Sequence, residues 1–279
     1  MLGVLVSIAA DDPAAVELID ETYAAFRSAP GSEDGALALR LERKDDGAFL
    51  VSDSDGYERA WSSRAHAVGD LLSRFMFGVL TRVTMRGIYA IHAGAVESDR
   101  GATLLSGRSG AGKTTLVLSL LQQGFRLLSD ELAIVEPSTQ RILPYRRSLH
   151  IRPGTPELVP ALRVVERPSA MLVDGAWTLT PDTLQEAFVD CLAPPARLTS
   201  VLLLEGTPDA GSRPAVTPVP PAVAALELLR ATWAASVDFD AGLGRLSRLL
   251  EGVSCARLRI GELRATTDLV ATWLGASRG

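Results

Sequence analysis

Short apolar runs alternate with amphipathic stretches along the whole chain, and this pattern predicts a mixed α/β protein. Residues 1–88 show strand and helix signals that together indicate a small α+β N-terminal lobe. The predicted elements of this lobe are a strand at Gly3–Ile8, a helix from Pro13 to about Phe26, a break at Pro30–Ser32, a hairpin from Ala36–Glu42 to Phe49–Val51 and a long helix at Ser63–Val83.

Residues 89–279 have a different pattern of apolar and polar positions. Their short apolar runs are punctuated by glycine, as is typical of buried strands. We predict one domain here, with a Pro/Gly-rich surface excursion at Thr207–Pro221. Its predicted strands are Tyr89–Val96, Ala102–Ser106, Arg126–Ser129, Leu132–Val135, Leu149–Arg152, Thr199–Leu204 and Ala256–Ile260, and its predicted helices are Thr114–Gln123, Pro221–Trp233, Leu243–Leu250 and Leu263–Leu274.

The segment between the second strand and the first helix of this domain matches the phosphate-loop pattern G-x-x-x-x-G-K-[ST] at every fixed position. Glycines allow the backbone N–H groups to turn inward onto phosphate oxygens, and the helix N-terminus adds partial positive charge. In this pattern Lys113 reaches the β- and γ-phosphates and Thr114 places its hydroxyl on Mg²⁺. The predicted ATP-binding residues are Gly107, Arg108, Ser109, Gly110, Ala111, Gly112, Lys113, Thr114 and Thr115.

The alternative is a glycine-rich turn that matches by chance. The basic residues argue against it, because the chain contains only two lysines, Lys44 and Lys113, among 28 Lys and Arg residues. One of the two stands where the pattern requires a compact ammonium group rather than a planar guanidinium. We therefore predict a nucleoside triphosphate site that uses Mg²⁺.

An acidic pair, Asp130 and Glu131, ends the strand that follows the helix of the loop. If this strand and the strand ending at Ser106 are parallel and joined by a right-handed crossover, the pair faces the phosphates. One carboxylate then holds Mg²⁺ and the other accepts a proton from an attacking hydroxyl. Two alternatives stay open: the pair caps a turn, or Glu205 is the metal-associated acid.

The run from His92 to Val135 resembles the catalytic core of the HPr kinase/phosphorylase family. In that family a histidine precedes the phosphate loop by a fixed interval, and an acidic pair follows the helix after a short strand. The resemblance implies an α/β fold with a P-loop kinase core of the HPr kinase/PEP carboxykinase-like type. The N-terminal lobe and the region after about Thr155 resemble the family only weakly.

The resemblance also implies roles for individual residues. Asp130 would be the general base toward a serine-type hydroxyl, Glu131 would assist Thr114 at the metal, and His92 would lie beside the reacting phosphate. Leu149–Arg152 resembles a later family motif that brings Arg152 to the site. Two departures are an Asp-Glu pair in place of Asp-Asp, and His150 where the family has an acid, which puts a metal ligand there in doubt.

The Ser-Asp-Glu sequence at 129–131 looks more like the kinase-related branch found in peptide-tailoring systems, which implies a peptide or small-protein acceptor such as a precursor peptide. Structural alternatives stay open for the other site residues. His92 taken alone is more compatible with a buried strand histidine, and the family spacing makes the two interpretations equally compatible. Arg146, Arg147 and Arg152 are compatible with a solvated loop, or with a cluster that stabilises the transferred charge or binds an acidic acceptor.

Composition narrows the function further. Hydrophobic residues make up 47% of the chain, and the net charge of −5 provides no general attraction for nucleic acid. The two cysteines form no C-x-x-C pair, no apolar run approaches the roughly 20 residues of a membrane helix, and the apolar start lacks the basic region of a secretion signal. We expect a cytoplasmic protein without a membrane or nucleic-acid partner, and a homo-oligomer is an open alternative.

The sequence therefore predicts a phosphotransferase, a serine kinase that uses ATP and Mg²⁺ on a peptide or small protein. Alternatives are a kinase for a small hydroxyl compound such as free serine, and a catalytically inactive nucleotide-binding module. A GTPase is disfavoured because Lys44, the only other lysine, precedes the loop and cannot supply the base-reading N/T-K-x-D motif. An ABC-type ATPase is disfavoured because its second signature is not found.

Overall fold

We describe the protein from a computed structural model, which covers residues 2–27, 36–165, 175–205, 212–233 and 239–275. The fold is mixed α/β, with sheets and helices throughout. The chain divides into two compact units, Met1–Arg86 and Gly87–Gly279. The predicted break at Pro30–Ser32 and the first part of the predicted excursion, residues 207–211, lie outside the described residues.

Unit 1 contains a mixed sheet in the order β1-β2-β3-β4, with β1 parallel to β2 and the other neighbours antiparallel. The alternation that predicts β2 places Leu37, Leu39 and Leu41 on its buried face. The structure confirms the hairpin and both helices, but β1 begins later than predicted and β4 was missed. Its elements are β1 (Val6–Ala10), α1 (Pro13–Tyr23), a 3-10 turn (Ala24–Phe26), β2 (Leu37–Arg43), β3 (Phe49–Asp53), β4 (Glu58–Trp61) and α2 (Arg64–Met85).

Unit 2 is built on a larger mixed sheet with helices on both faces. The strands of this sheet are β5 (Tyr89–Ile91), β6 (Ala93–Ser98), β7 (Gly101–Ser106), β8 (Arg126–Ser129), β9 (Ala133–Glu136), β10 (Arg141–Leu143), β13 (Ala196–Glu205), β14 (Ala215–Pro218) and β15 (Ser254–Arg259). Two further strands, β11 (Leu149–Ile151) and β12 (Trp177–Leu179), pair with each other in a separate two-stranded sheet. The helices of unit 2 are α3 (Lys113–Leu121), α4 (Thr155–Leu158), α5 (Pro181–Ala187), α6 (Pro221–Arg230), α7 (Phe239–Leu249) and α8 (Leu263–Leu274), with a 3-10 turn at Pro160–Val164.

The strand order determines which segments surround the phosphate loop. β7 and β8 run in the same direction, as the sequence argument assumed, and β6 lies between them, antiparallel to both. The carboxyl ends of β7 and β8 therefore share one edge of the sheet. The amino end of β6 reaches the same edge, since Ala93 pairs with Ser106 and Ala95 pairs with Ser129.

The predicted strand Tyr89–Val96 was wrong as a single element, because it is interrupted at His92. Residues before the break pair with β9, and residues after it pair with β7 and β8. The backbone N–H of His92 instead donates to the carbonyl of Ala231, 2.7 Å away. Apolar periodicity does not reveal this change of partner, since all the residues on either side are buried.

Side chains of the central strands alternate between two hydrophobic cores, one on each face of the sheet. Leu105, Leu202 and Leu258 face the core that contains α3 and α8. Leu104 and Leu203 face the core that contains α6 and α7. Burial on both faces explains why these strands read as continuous apolar runs in the sequence.

Short strands account for most of the elements that the sequence did not predict. β10, β12 and β14 have three or four residues each, which is too short to produce a periodic pattern. β14 falls inside the predicted excursion and pairs with β15. Among the described residues, no helix combines the length and the apolar character that a membrane crossing requires. Cys191 and Cys255 are buried free thiols.

A buried hydrogen bond joins α3 to α8. The hydroxyls of Ser119 and Thr267 lie 2.8 Å apart, and Thr267 donates its own proton to the carbonyl of Leu263, so Ser119 donates to Thr267. We expect Thr267→Val to lower the free energy of unfolding by about 1–3 kcal/mol, because it leaves the Ser119 hydroxyl buried without an acceptor. Urea unfolding measures this change.

The matched control is Thr272→Val, which removes a similar hydroxyl-to-carbonyl bond from an exposed position of the same helix. We expect Ser119→Ala combined with Thr267→Val to recover part of the loss, since neither partner is then left unsatisfied. A double variant no more stable than Thr267→Val would contradict this account.

Candidate functional site

The phosphate-loop sequence forms the turn between β7 and α3, at the sheet edge described above. Gly112 is the residue before α3 and has a φ of 84°, a conformation that glycine adopts without strain. At Gly107, a Cβ would come within 2.9 Å of the Cβ of Leu204, so the backbone passes too close to β13 for any side chain. These two positions explain why the loop needs glycine at both ends.

Lys113 is the first residue of α3 and curls back over the loop. Its Nζ donates to the carbonyls of Gly107, at 2.7 Å, and Arg108, at 3.2 Å. The side chain is nearly buried, and this desolvation lowers its pKa, while the carboxylates of Asp130 and Glu131 oppose the shift. The loop therefore holds a desolvated ammonium group at its centre, a strong attraction for phosphate oxygens.

The acidic pair follows β8 in a turn whose hydrogen bonds come from Ser129. Its buried hydroxyl donates to the carbonyl of Leu132 and accepts from the N–H of the same residue. Asp130 instead reaches across to the loop, where its Oδ2 accepts from the Thr114 hydroxyl at 3.0 Å. The turn-capping alternative is therefore wrong for Asp130.

The two carboxylate oxygens of Asp130 have different environments. Its Oδ1 is buried and has no hydrogen-bond partner in the structure. Burial raises the pKa of Asp130 to about 6, against the opposing effect of the hydrogen bond from Thr114. A carboxylate with this pKa is ionised at neutral pH and basic enough to accept a proton from a reacting group.

Glu131 has a different environment from its neighbour. Its carboxylate pairs with Arg147 at 2.5 Å, and the Nη2 of Arg147 lies 3.5 Å from the Nδ1 of His150. The structure thus places Asp130, and not Glu131, against the Thr114 hydroxyl. Thr114 and Glu131, the metal ligands predicted from the sequence, both line the cavity described below, but Thr114 contacts Asp130 and Glu131 pairs with Arg147.

His92 lies at the break between β5 and β6 and is exposed, so it is not the buried strand histidine of the alternative reading. Although the residue is exposed, the cavity around it partly desolvates the ring, which lowers its pKa; the charge of Lys113 adds to this effect and that of Glu131 opposes it. The ring is therefore neutral at physiological pH. A neutral imidazole beside Lys113 adds no positive charge to that of the ammonium group.

These groups line one cavity of about 450 Å³. It collects His92, Lys113, Asp130, Glu131 and Arg152 from separate segments of the sequence. The remaining lining residues are Ser109, Gly110, Gly112, Thr114, Thr115, Arg147, His150, Pro153, Gly154, Thr155 and Leu158. Of the predicted loop residues, Gly107, Arg108 and Ala111 do not line it.

Two residues considered from the sequence lie elsewhere. Glu205, the rival metal acid, pairs with Arg257 at 3.2 Å and does not line the cavity. Arg146 donates to the carbonyl of Ala193 and supports the fold. Arg147 and Arg152, which the sequence left between a solvated loop and a functional cluster, both line the cavity.

The residues of the cavity fit a magnesium ion. Mg²⁺ binds through one or two protein oxygens together with phosphate oxygens and water, and does not need a dedicated cage. The described residues contain no cluster of three or more metal-binding His, Cys, Asp or Glu side chains. They do contain the Thr114 hydroxyl and the buried, unpartnered Oδ1 of Asp130, which together suit such a site.

Comparison with known proteins adds little to this geometry. No protein-family model matches the sequence, and no curated protein matches it. Among solved structures, the Hpr(Ser) kinase/phosphatase from Coxiella burnetii is similar over 67% of this chain and 97% of its own, with 13% identity and a TM-score of 0.33. A likeness at this level carries no argument about function.

The raised pKa of Asp130 predicts a pH-dependent change in stability. An aspartate is ionised above about pH 4 in the unfolded chain but only above about 6 in the folded one, so the folded state loses stability between these values as pH rises. We expect Asp130→Asn to match wild type near pH 4 and to be more stable near pH 7.5, by up to about 3 kcal/mol.

Urea unfolding without nucleotide or metal tests this prediction. Asp99→Asn, which changes an exposed aspartate in the turn between β6 and β7, is the control and should show no such trend. If the difference between Asp130→Asn and wild type stayed constant from pH 4 to 7.5, the carboxylate would not be desolvated as described.

Proposed function

We propose that this chain is a kinase that uses Mg²⁺ and transfers the γ-phosphoryl group of ATP to a hydroxyl group. The proposed acceptor is a serine of a peptide or small protein. The observation that carries the proposal is the contact between Asp130 and Thr114. It sets a carboxylate of raised pKa directly against a phosphate loop whose lysine is desolvated.

In the proposed reaction the loop amides and Lys113 hold the triphosphate. The carboxylate of Asp130 takes the proton of the acceptor hydroxyl as its oxygen bonds to the γ-phosphorus. The bond from this phosphorus to the β–γ bridging oxygen breaks, and ADP leaves with the electron pair. Arg152 neutralises charge on the transferred group, and His92 lies beside it.

Magnesium supplies charge neutralisation across the β- and γ-phosphates when it is bound. Thr114 is the ligand common to both assignments of the metal. In the first, Glu131 assists Thr114 and Asp130 remains the base, which requires Glu131 to leave Arg147. In the second, Asp130 itself faces the metal, and its contact with Thr114 is compatible with either assignment.

A small-molecule kinase, for example one acting on free serine, would use the same residues and differ only in its acceptor. Arg152 lines the cavity next to Asp130, and its charge favours a larger, acidic acceptor, whereas Arg147 is paired with Glu131. An inactive binding module would hold nucleotide without turnover. Incubation with Mg²⁺ and ATP, followed by mass spectrometry of candidate peptides and of free serine, separates these three functions.

Nucleotide binding is the first step that the proposal requires. We expect Lys113→Ala to weaken binding of Mg²⁺-ATP by at least about tenfold, because the desolvated ammonium group is lost from the centre of the phosphate cradle. Calorimetric titration measures the affinity. Lys44→Ala, which removes the exposed lysine of unit 1, is the matched control and should bind as wild type. Equal binding by Lys113→Ala would overturn the loop's proposed role.

Phosphoryl transfer tests the role of Asp130. With an accepting peptide, we expect Asp130→Asn to lower kcat by about 10²–10⁴-fold. We also expect the wild-type rate to fall as pH drops through about 6, because the base becomes protonated. Rates are read from the mass gain of the peptide.

The two metal assignments give different outcomes in the same assay. If Asp130 is the base, Asp130→Asn keeps its Mg²⁺ requirement and Glu131→Gln needs more Mg²⁺. If Asp130 holds the metal, the magnesium concentration at half-maximal rate rises in Asp130→Asn and stays unchanged in Glu131→Gln. Undiminished transfer by Asp130→Asn would exclude both roles.

A further inference from the structure

A second cavity adjoins the candidate site. It lies between α3 and the start of α8 and has a volume of about 710 Å³, larger than the cavity that contains Asp130. The two cavities share Gly112, Thr115 and Leu158 as lining residues. A ligand held by the phosphate loop can therefore extend from the first cavity into the second without leaving the protein surface.

The sheet determines on which side of the loop this cavity lies. β7, β13 and β15 are successive parallel neighbours, so the segment after β15 reaches the same edge as the phosphate loop. Ile260 and Gly261, which follow β15, line the second cavity. Asp130 lies beyond β6, on the opposite side of β7. The loop is thus flanked by the acid on one side and by this cavity on the other.

Most of the surface that lines the second cavity is apolar, although the hydroxyl residues Ser119 and Thr267 also line it. Leu116 and Ile260 are buried, Leu263 is half-buried, and Leu158 is exposed at the end shared with the first cavity. A mostly apolar lining with a few polar groups suits an uncharged organic group, and the volume is in the usual range for small-ligand sites. Exposed Gln122 and Arg264 supply polar groups at the rim.

The charged residues that line this cavity are Glu157, Glu262 and Arg264, so the carboxylates outnumber the guanidinium and an anionic ligand is disfavoured. Glu262 precedes α8, and its carboxylate accepts from the N–H groups of Arg264 and Ala265 at 2.9 and 2.8 Å. The helix N-terminus is therefore already compensated by a negative charge. Glu157 adds a second carboxylate to the lining. A phosphate or an acidic peptide would meet repulsion here, whereas a neutral base and its ribose would not.

We propose that this second cavity binds the nucleoside end of the nucleotide, with the base between Leu263 and the side chains of Leu116 and Ile260. The inference rests on the proposed function, since it assumes that the triphosphate occupies the loop. In this arrangement the second cavity supplies the contacts that distinguish a nucleotide from inorganic polyphosphate. The terminal phosphate then faces Asp130, and the nucleoside points away from it.

Paired titrations of Mg²⁺-ATP and Mg²⁺-tripolyphosphate test this inference, because the second probe has the phosphates but no nucleoside. We expect wild type to bind ATP at least about tenfold more tightly than tripolyphosphate. We expect Leu263→Ala to remove most of this preference, since it strips an aliphatic wall from the cavity. Binding of tripolyphosphate by the same variant should be unchanged, which also reports that the loop is still folded.

Leu226→Ala is the matched control, because it shortens a partly exposed leucine of α6 on the other face of the sheet. It should retain the full preference for ATP. Equal affinity of wild type for the two probes, or an undiminished preference in Leu263→Ala, would overturn the inference while leaving the phosphate site intact. Binding of neither probe by wild type would overturn the proposed function and this inference with it.

Discussion

The candidate site depends on one contact, the hydrogen bond from the Thr114 hydroxyl to the carboxylate of Asp130. It connects the first turn of α3 to the turn after β8. These two segments meet because β7 and β8 both pair with β6, and the ends of all three strands reach one edge of the sheet. The contact also explains the chemistry of the site. It gives the buried carboxylate its hydrogen-bond partner, and burial raises the pKa of this carboxylate to about 6 although the hydrogen bond itself lowers it.

Burial, more than the number of charges, sets the electrostatics around this contact. Desolvation is the largest cause of the shifted pKa at Asp130, Lys113 and His92. It destabilises the ionised form of each group, and a triphosphate with its metal would restore the missing interactions for Lys113 and Asp130. An empty site of this kind lowers the stability of the folded protein, which is typical of positions that serve binding or catalysis.

Much of unit 2 was readable from the sequence because buried strands and an amphipathic helix have distinct patterns. The phosphate loop, α3, β8 and α8 were predicted within a few residues of their observed bounds. The break at His92 was not, since an uninterrupted apolar run gives no sign of a change of partner strand. The ion pair between Glu131 and Arg147 was also missed, because it joins segments whose approach depends on the turn after β10.

The sequence by itself determined which groups are available: a glycine-rich loop ending in a lysine, a threonine after it, and an acidic pair after the next strand. These are local features, fixed by residue type and short spacing. Only the tertiary structure decided which acid faces the loop, that Glu205 does not line the cavity, and that a second, mostly apolar cavity adjoins the first. Those outcomes depend on strand order and on the side to which each chain segment returns, and neither is encoded by local periodicity.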